Sequence, residues 1–240
     1  DWRFTGDIWT LPEGTPVFEN EPFMEVDAPL AEAQLLESLV MNLVQLETVI
    51  ASKAVRVVLA AGDRPVMDFG LRRMHGIDAA VRGVRAYRTA GLAGTSNVLG
   101  GLRHDMPLSG TMAHSYSLAH DDEEAAFAAF ARHYPGTTLL VDTHDTLAGV
   151  AKVIALMEAD PAVSVGAIRL DSGDIGQLAR EARTRLDAAG YPEVRIVASS
   201  GLDEWKIAEL VAAGAPIDAF GVGTEMGVSS DAPVIDLSYK

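Results

Sequence analysis

The residues best equipped for chemistry sit in four short polar clusters, each directly after an apolar stretch. They are Asp142-Thr143-His144-Asp145, Arg169-Leu170-Asp171-Ser172-Gly173-Asp174, Ser199-Ser200-Gly201-Leu202-Asp203 and Gly221-Val222-Gly223-Thr224. Asp142, Asp171 and Ser200 recur at an equal spacing of 29 residues. Side chains of these types could hold a ligand, the guanidinium and glycine-flanked amides an anion in particular. Asp, Ser and Thr are also good helix N-caps, and each cluster precedes a helical pattern, so capping competes with ligand binding for any single residue. Four clusters in step, with an arginine among them, favour one shared site.

Arg169 ends a stretch that reads as a buried strand, where an unpaired charge is costly. Asp171 could neutralise it, or its planar fork could face a carboxylate or phosphate. Gly221 and Gly223 remove side chains, so that backbone amides could approach an anion, and Thr224 adds a hydroxyl. The alternative there is a tight strand-to-helix turn. His114 stands in a Gly-Thr context at 109–116, although a lone histidine is more often structural. The other five histidines carry no functional reading from spacing, and no pair has metal-ligand spacing.

These residues need elements to hold them. Residues 4–10, 16–18 and 23–26 read as short strands, separated by Pro12-Glu13-Gly14 and Glu21-Pro22. A long helix is predicted over 30–59, with Leu36, Leu39, Val40, Leu43, Leu46 and Ile50 at helical spacing. From about position 56 strands and helices alternate. Strands are expected at 66–69, 106–113, 139–142, 165–170, 194–198 and 219–222, and helices at 76–90, 121–133, 146–159, 175–189 and 204–213. Continuously apolar strands joined by helices predict a parallel α/β sheet. The steady pitch favours a β/α barrel or near-barrel over an open doubly wound sheet, and no GxGxxG follows the first strand. The ligand would then lie over the C-terminal strand ends.

Composition limits the partners. The chain has 240 residues, 48% hydrophobic and 22% charged, which supports a sizeable core and argues against disorder. No apolar run reaches the roughly 18 residues of a membrane span; the richest stretch, 35–58, is broken by Glu37, Asn42, Gln45, Glu47, Lys53 and Arg56. Nineteen basic residues face 34 acidic ones, a net charge of −15, which disfavours nucleic acid and anionic membrane. There is no cysteine, so no disulfide or Cys-ligated metal, and a reducing, cytoplasmic setting fits. No signal peptide is visible. The chain opens without Met, in what reads as the middle of a strand, and a longer protein is expected.

Nine motifs in this order resemble the nicotinate phosphoribosyltransferase family over nearly the whole chain. They are Pro-Glu-Gly-Thr-Pro-Val-Phe at 12–18, Glu-Pro at 21–22, Ala-Glu-Ala-Gln-Leu-Leu-Glu at 31–37, Asp-Phe-Gly-Leu-Arg-Arg at 68–73, Gly-Thr-Ser-Asn-Val at 94–98, Gly-Thr-Met-Ala-His-Ser at 110–115, Val-Asp-Thr at 141–143, Arg-Leu-Asp-Ser-Gly-Asp at 169–174 and Phe-Gly-Val-Gly-Thr at 220–224. The resemblance implies the quinolinate-phosphoribosyltransferase type of fold: an irregular β/α barrel with an N-terminal α/β sandwich. Residues 1–55 would end the sandwich and form a connecting helix, and 56–240 would be the catalytic barrel. It implies NAD salvage: nicotinate displaces pyrophosphate from phosphoribosyl pyrophosphate, coupled to ATP hydrolysis through a phosphohistidine. Mg²⁺ accompanies pyrophosphate and ATP, and sites are shared between subunits of a homodimer.

Carried over residue by residue, the resemblance gives His114 the phosphohistidine role. Phe69 matches the aromatic residue on the pyridine ring, Arg169 and Thr111 the residues that hold nicotinate, and Arg72 the arginine on phosphoribosyl pyrophosphate. Asp171 matches a carboxylate near the ribose or the developing charge. Ser200, Gly201, Gly223 and Thr224 match the receivers of the 5′-phosphate, and Asp142 a ligand of the ribose or of a Mg²⁺-bound water. Where related nicotinamide-using enzymes carry Asp, this chain has Ser96, which removes a repulsion against a carboxylate. The family also has segments before Asp1, including a tyrosine beside nicotinate, and beyond Lys240. Two other readings remain: a nicotinamide or quinolinate enzyme on the same fold, and a non-catalytic ligand-binding homologue. Nicotinamide would want an acid at 96, and quinolinate more basic residues than Arg72, Arg73 and Arg169. The presence of His114, Arg169 and Asp171 argues against lost turnover.

Overall fold

In the computed structural model, which describes residues 2–240, the chain opens with an antiparallel hairpin. Its strands are β1 (Asp7–Thr10) and β2 (Met24–Asp27), with Asp7 opposite Asp27. The expected strand at 16–18 does not form; Pro16 lacks the N–H that a ladder needs. α1 (Leu30–Ala61) follows Pro29 and ends at Gly62, whose φ of 63° is in the left-handed region. Its second half buries Val49, Ile50, Lys53, Ala54 and Val57, whereas Leu30, Leu35, Leu39 and Leu43 on its first half are exposed. The helix runs unbroken through position 55, where a domain boundary was expected; Asp1 itself lies outside the described residues.

The remaining elements alternate. β3 (Val66–Asp68) leads into a single 3₁₀ turn (Leu71–Arg73), then α2 (Ile77–Ala90), β4 (Gly94–Thr95), α3 (Val98–His104), α4 (His114–Leu118) and α5 (Glu123–His133). Four regular units follow: β5 (Thr137–Leu140) with α6 (Thr146–Ala159), β6 (Val165–Leu170) with α7 (Ile175–Ala188), β7 (Arg195–Ala198) with α8 (Glu204–Ala212), and β8 (Ala219–Val222) with α9 (Thr224–Val228). All six strands from β3 on are parallel, in the order β4-β3-β8-β7-β6-β5.

That order is cyclic. β5 to β8 lie side by side in chain order, and β3 closes against β8 without the reversal that marks a doubly wound sheet. β4 and β5 are not paired, so the barrel is irregular and open at one seam. The strand expected over 106–113 is reduced to one parallel bridge between Leu108 and Thr95. Pro107 accepts from the Thr95 N–H at 3.0 Å and the Ser109 N–H returns to the Thr95 carbonyl at 2.9 Å; Pro107, with no N–H, cannot extend this pairing on its N-terminal side. The core joins strand side chains, among them Leu139, Ile168, Ile196 and Phe220, all fully buried, to helix residues such as Val153, Leu186 and Ile207.

The 29-residue spacing has a second expression. Asp145, Asp174 and Asp203 cap α6, α7 and α8, each carboxylate accepting the N–H three residues on at 2.7–3.0 Å. The capping reading therefore holds for the last aspartate of the first three clusters and leaves the earlier residues to face the strand ends. Among the described residues, no helix is long and apolar enough to cross a membrane.

α1 is fastened to the barrel by charge. Lys53, 3% exposed, reaches Glu204 at 2.8 Å and Asp231 at 2.8 Å, and Arg56 pairs with the same two acids. The Lys53 hydrogen bond holds the Asp231 carboxyl below its ordinary value. That contribution is present above the ordinary carboxylate range and is lost as pH falls through the lowered value. Replacing Lys53 by Met should destabilise the intact protein by about 3 kcal/mol, because buried Glu204 loses a partner. Urea denaturation at neutral pH measures this, and the difference from wild type should shrink in acid as Asp231 protonates.

Candidate active site at the C-terminal strand ends

Arg169, at the end of β6, points its guanidinium across the strand ends with its side chain 14% exposed. Nε donates to Ser199 Oγ, Nη1 to Thr111 Oγ1 and Nη2 to Asp171 Oδ1, each at 2.8 Å. Ser199 Oγ in turn donates to Asp171 Oδ1. A guanidinium has five N–H groups. Three are used, and one is left on each terminal nitrogen, a two-pronged donor suited to a carboxylate. The arginine is thus both neutralised by Asp171 and still able to bind.

Phe69 follows β3, and its ring lies beneath the guanidinium, with Cζ of Arg169 5.1 Å from the ring centroid. The distance suits a cation–π contact. Gly221 makes room for the ring: a Cβ there would sit 2.4 Å from a ring carbon of Phe69. This corrects the reading of Gly221 as an anion-approach position. Gly223 does lie on the rim, next to the Phe69 carbonyl.

Asp142, just beyond β5, is buried, and its Oδ2 accepts from the Asp171 N–H at 2.9 Å and the Ser172 hydroxyl at 2.6 Å. Its Oδ1 makes no hydrogen bond among the described residues and faces His114 Nε2 at 3.3 Å. His114 begins α4 and is 43% exposed, so one face of the imidazole meets the carboxylate and the other is open to solvent. The expected strand leading into it is absent; a loop and the first turn of a short helix carry it instead.

The anion-receiving residues flank this group. Ser200 and Gly201 follow β7, and Gly223 and Thr224 follow β8, the neighbouring strand. Their four N–H groups find no acceptor among the described residues. Ser200 holds a φ of 91°, a strained value for a non-glycine residue and one that recurs at ligand sites. Arg72, exposed in the 3₁₀ turn after Phe69, has no side-chain hydrogen bond or ion pair among the described residues. Ser96, half-buried, is tied to the site through its N–H, which donates to the Asp68 carbonyl at 2.9 Å. The structure therefore joins His114, Asp142, Asp171, Arg169, Thr111 and Phe69 through direct contacts. It sets Ser96, Arg72, Ser200, Gly201, Gly223 and Thr224 around them, Gly223 against the Phe69 backbone.

Ser199, Ser172 and Asp68 belong to the arrangement and were not singled out as site residues. Ser199 is buried at the end of β7, and its only sequence signal was its place beside Ser200. Among the described residues, no three acidic or histidine side chains cluster as a metal cage.

The model of the nicotinate phosphoribosyltransferase (NAPRTase) family matches residues 65–234. The chain is 56% identical over 239 residues to nicotinate phosphoribosyltransferase pncB2 of Mycobacterium tuberculosis, covering 99% of this chain and 52% of that protein. It is 44% identical to the nicotinate phosphoribosyltransferase of Bacillus subtilis, covering 97% of this chain and 48% of that one. The chain thus spans about half the length of the curated relatives it matches. Among solved structures, human nicotinic acid phosphoribosyltransferase matches with a TM-score of 0.83 at 28% identity, over 92% of this chain and 56% of that one. A nicotinate-nucleotide pyrophosphorylase from Pyrococcus furiosus gives 0.83 at 29%, over 93% and 58%.

The Phe69 ring and the two free N–H groups of Arg169 make a test of the geometry. Gly221→Ala should push the ring from its seat and weaken binding of an aromatic carboxylate by about tenfold, near 1.4 kcal/mol. Calorimetric titration with nicotinate measures it; unchanged affinity would show that the ring does not contact the ligand.

Proposed function

We propose, from the premise that the chain belongs to the nicotinate phosphoribosyltransferase family, that the whole protein joins nicotinate to the ribose phosphate of phosphoribosyl pyrophosphate in NAD salvage. The observation that carries this reading is the pairing of a flat aromatic ring with an arginine that keeps one N–H free on each terminal nitrogen. A pyridine stacked on Phe69 would bring its carboxylate to Arg169. The related nicotinamide enzymes are disfavoured by Ser96, which offers a hydroxyl where an acid would repel the carboxylate.

The bond changes are simple. The ring nitrogen of nicotinate attacks C1 of the ribose, and the bond from C1 to the pyrophosphate oxygen breaks with its electrons leaving on pyrophosphate. The pyridine nitrogen becomes positively charged in the product. Asp171, whose Oδ2 makes no hydrogen bond among the described residues, is the carboxylate available to offset charge that develops near C1 or to meet the ribose hydroxyls. The free N–H groups of Ser200, Gly201, Gly223 and Thr224 would receive the 5′-phosphate, and the unpaired Arg72 the pyrophosphate. Mg²⁺ would lower the charge of the phosphates. The residues present suit an ion carried in on pyrophosphate or ATP, with Asp171 or Asp142 near a bound water, rather than a protein cage.

ATP coupling would run through His114. With the proton on Nε2 facing Asp142, Nδ1 carries the lone pair. Nδ1 attacks the γ-phosphorus of ATP, ADP departs, and water later cleaves the phosphoramidate to phosphate and free imidazole. The homodimer with shared sites and a cytoplasmic setting complete the reading. The exposed leucines on the first half of α1 are of the kind that a further domain or a subunit covers.

Incubation of the intact protein with γ-labelled ATP tests the coupling. Label that survives base, is lost in acid and vanishes in His114→Ala is the expected result. Active protein that takes no label would remove the phosphohistidine, and protein that neither takes label nor turns over nicotinate would favour a ligand-binding homologue.

A further inference from the structure

Asp68 is buried, 1% exposed, at the end of β3, one residue before Phe69. A carboxylate so placed needs donors. Oδ1 accepts the Gly70 N–H at 2.7 Å, and Oδ2 accepts the Thr95 hydroxyl at 2.6 Å. The backbone of Asp68 adds a third tie, because its carbonyl accepts the Ser96 N–H at 2.9 Å. Thr95 passes the connection on: its Oγ1 accepts the Asn97 N–H at 3.0 Å, and Asn97 Oδ1 accepts from Gly100, capping α3.

The surroundings are built for this reach. A Cβ at Gly70 would lie 3.0 Å from Asp68 Oδ1 and 3.3 Å from the Gly223 carbonyl, a tight fit that a glycine avoids. Tyr87, fully buried behind Gly70, is held well above its ordinary value by burial and by the Asp68 charge. Burial likewise raises the Asp68 carboxyl, and the two donors oppose that. An apolar residue would satisfy the packing here at lower cost. The carboxylate instead links Gly70, after β3, to the side chain of Thr95, the last residue of β4, beside the backbone tie from the Asp68 carbonyl to the Ser96 N–H.

We infer that Asp68 is a positioning residue for the nicotinate subsite, tying the wall that carries Phe69 to the wall that carries Ser96 and fixing their separation. The inference rests on the proposed roles of Phe69 and Ser96. Asp68 touches no substrate; it acts through the two residues that do. Its loss should therefore show in recognition of the ring substrate and not of the phosphoribosyl donor.

Three variants of the intact protein test it. Asp68→Asn inverts one hydrogen bond, Thr95→Val removes the hydroxyl at similar volume, and Thr95→Ser keeps it. Asp68→Asn and Thr95→Val are expected to speed amide hydrogen exchange by about tenfold, the scale of one lost hydrogen bond, at 69–70 and 95–97 and not elsewhere. KM for nicotinate should rise by about tenfold while KM for phosphoribosyl pyrophosphate stays within about twofold, and Thr95→Ser should restore both readouts. Unchanged exchange, or local exchange without a change in nicotinate KM, overturns the inference. Exchange that speeds throughout the barrel with both KM values rising together also overturns it, as the mark of a general fold defect. Wild-type protein that does not use nicotinate would sink the proposed function instead, and the exchange pattern alone would then decide whether Asp68 holds the two walls.

Discussion

The arrangement of the site follows from one demand: the guanidinium of Arg169, nearly buried at the end of a barrel strand, must be neutralised and hydrogen-bonded where it stands. Three separate segments answer it, Thr111 ahead of α4, Asp171 after β6 and Ser199 after β7. Meeting the demand fixes the position of each segment. Asp171 then presents its N–H to Asp142, and Asp142 faces His114, so a continuous chain of polar contacts runs from the arginine to the exposed imidazole. On the other side the guanidinium covers Phe69. The same arginine thus orders the groups around it.

The barrel was legible because its strands are apolar throughout and its late units are regular. The spacing of Asp142, Asp171 and Ser200 reflects three successive strand-helix units of equal length, and the same period carries the capping aspartates. The elements that were missed lie where that regularity stops. β4 is two residues long, and α3, α4 and α9 have seven, five and five residues, too short for hydrophobic periodicity to register. The strand expected through 106–113 had the right composition, but it pairs at a single bridge, and Pro107 has no N–H with which to extend the ladder on its N-terminal side. Pro16 likewise lacks one in the hairpin loop.

Site residues were legible where a side chain projects from the end of a recognisable strand, as Arg169 and Asp171 do. Ser199 and Asp68 were harder because each is defined by partners distant in sequence: Ser199 by Arg169, and Asp68 by Thr95, 27 residues on. Nothing in the local pattern distinguishes a buried serine or aspartate with a partner from one on the surface. Gly221 was misread for a related reason. The absent side chain signals that something approaches closely, but the sequence does not say whether it is a ligand or, as here, the ring of Phe69.

The net charge of −15 is hard to reconcile with anionic substrates only if attraction is taken to be long-ranged. Arg169 and Asp171 cancel, so the site offers little net positive charge; it offers oriented donors. Two guanidinium N–H groups, four backbone N–H groups and Arg72, without partners among the described residues, would act only at hydrogen-bond distance. The field of the whole chain is screened beyond about 8 Å at physiological ionic strength. An extended polyanion, which must lie along the acidic surface, meets that field over its whole length. A small planar carboxylate, or a phosphate seated at two strand ends, meets the donors first. A net charge of this sign thus opposes extended polyanions while leaving a small anion to the strand-end donors.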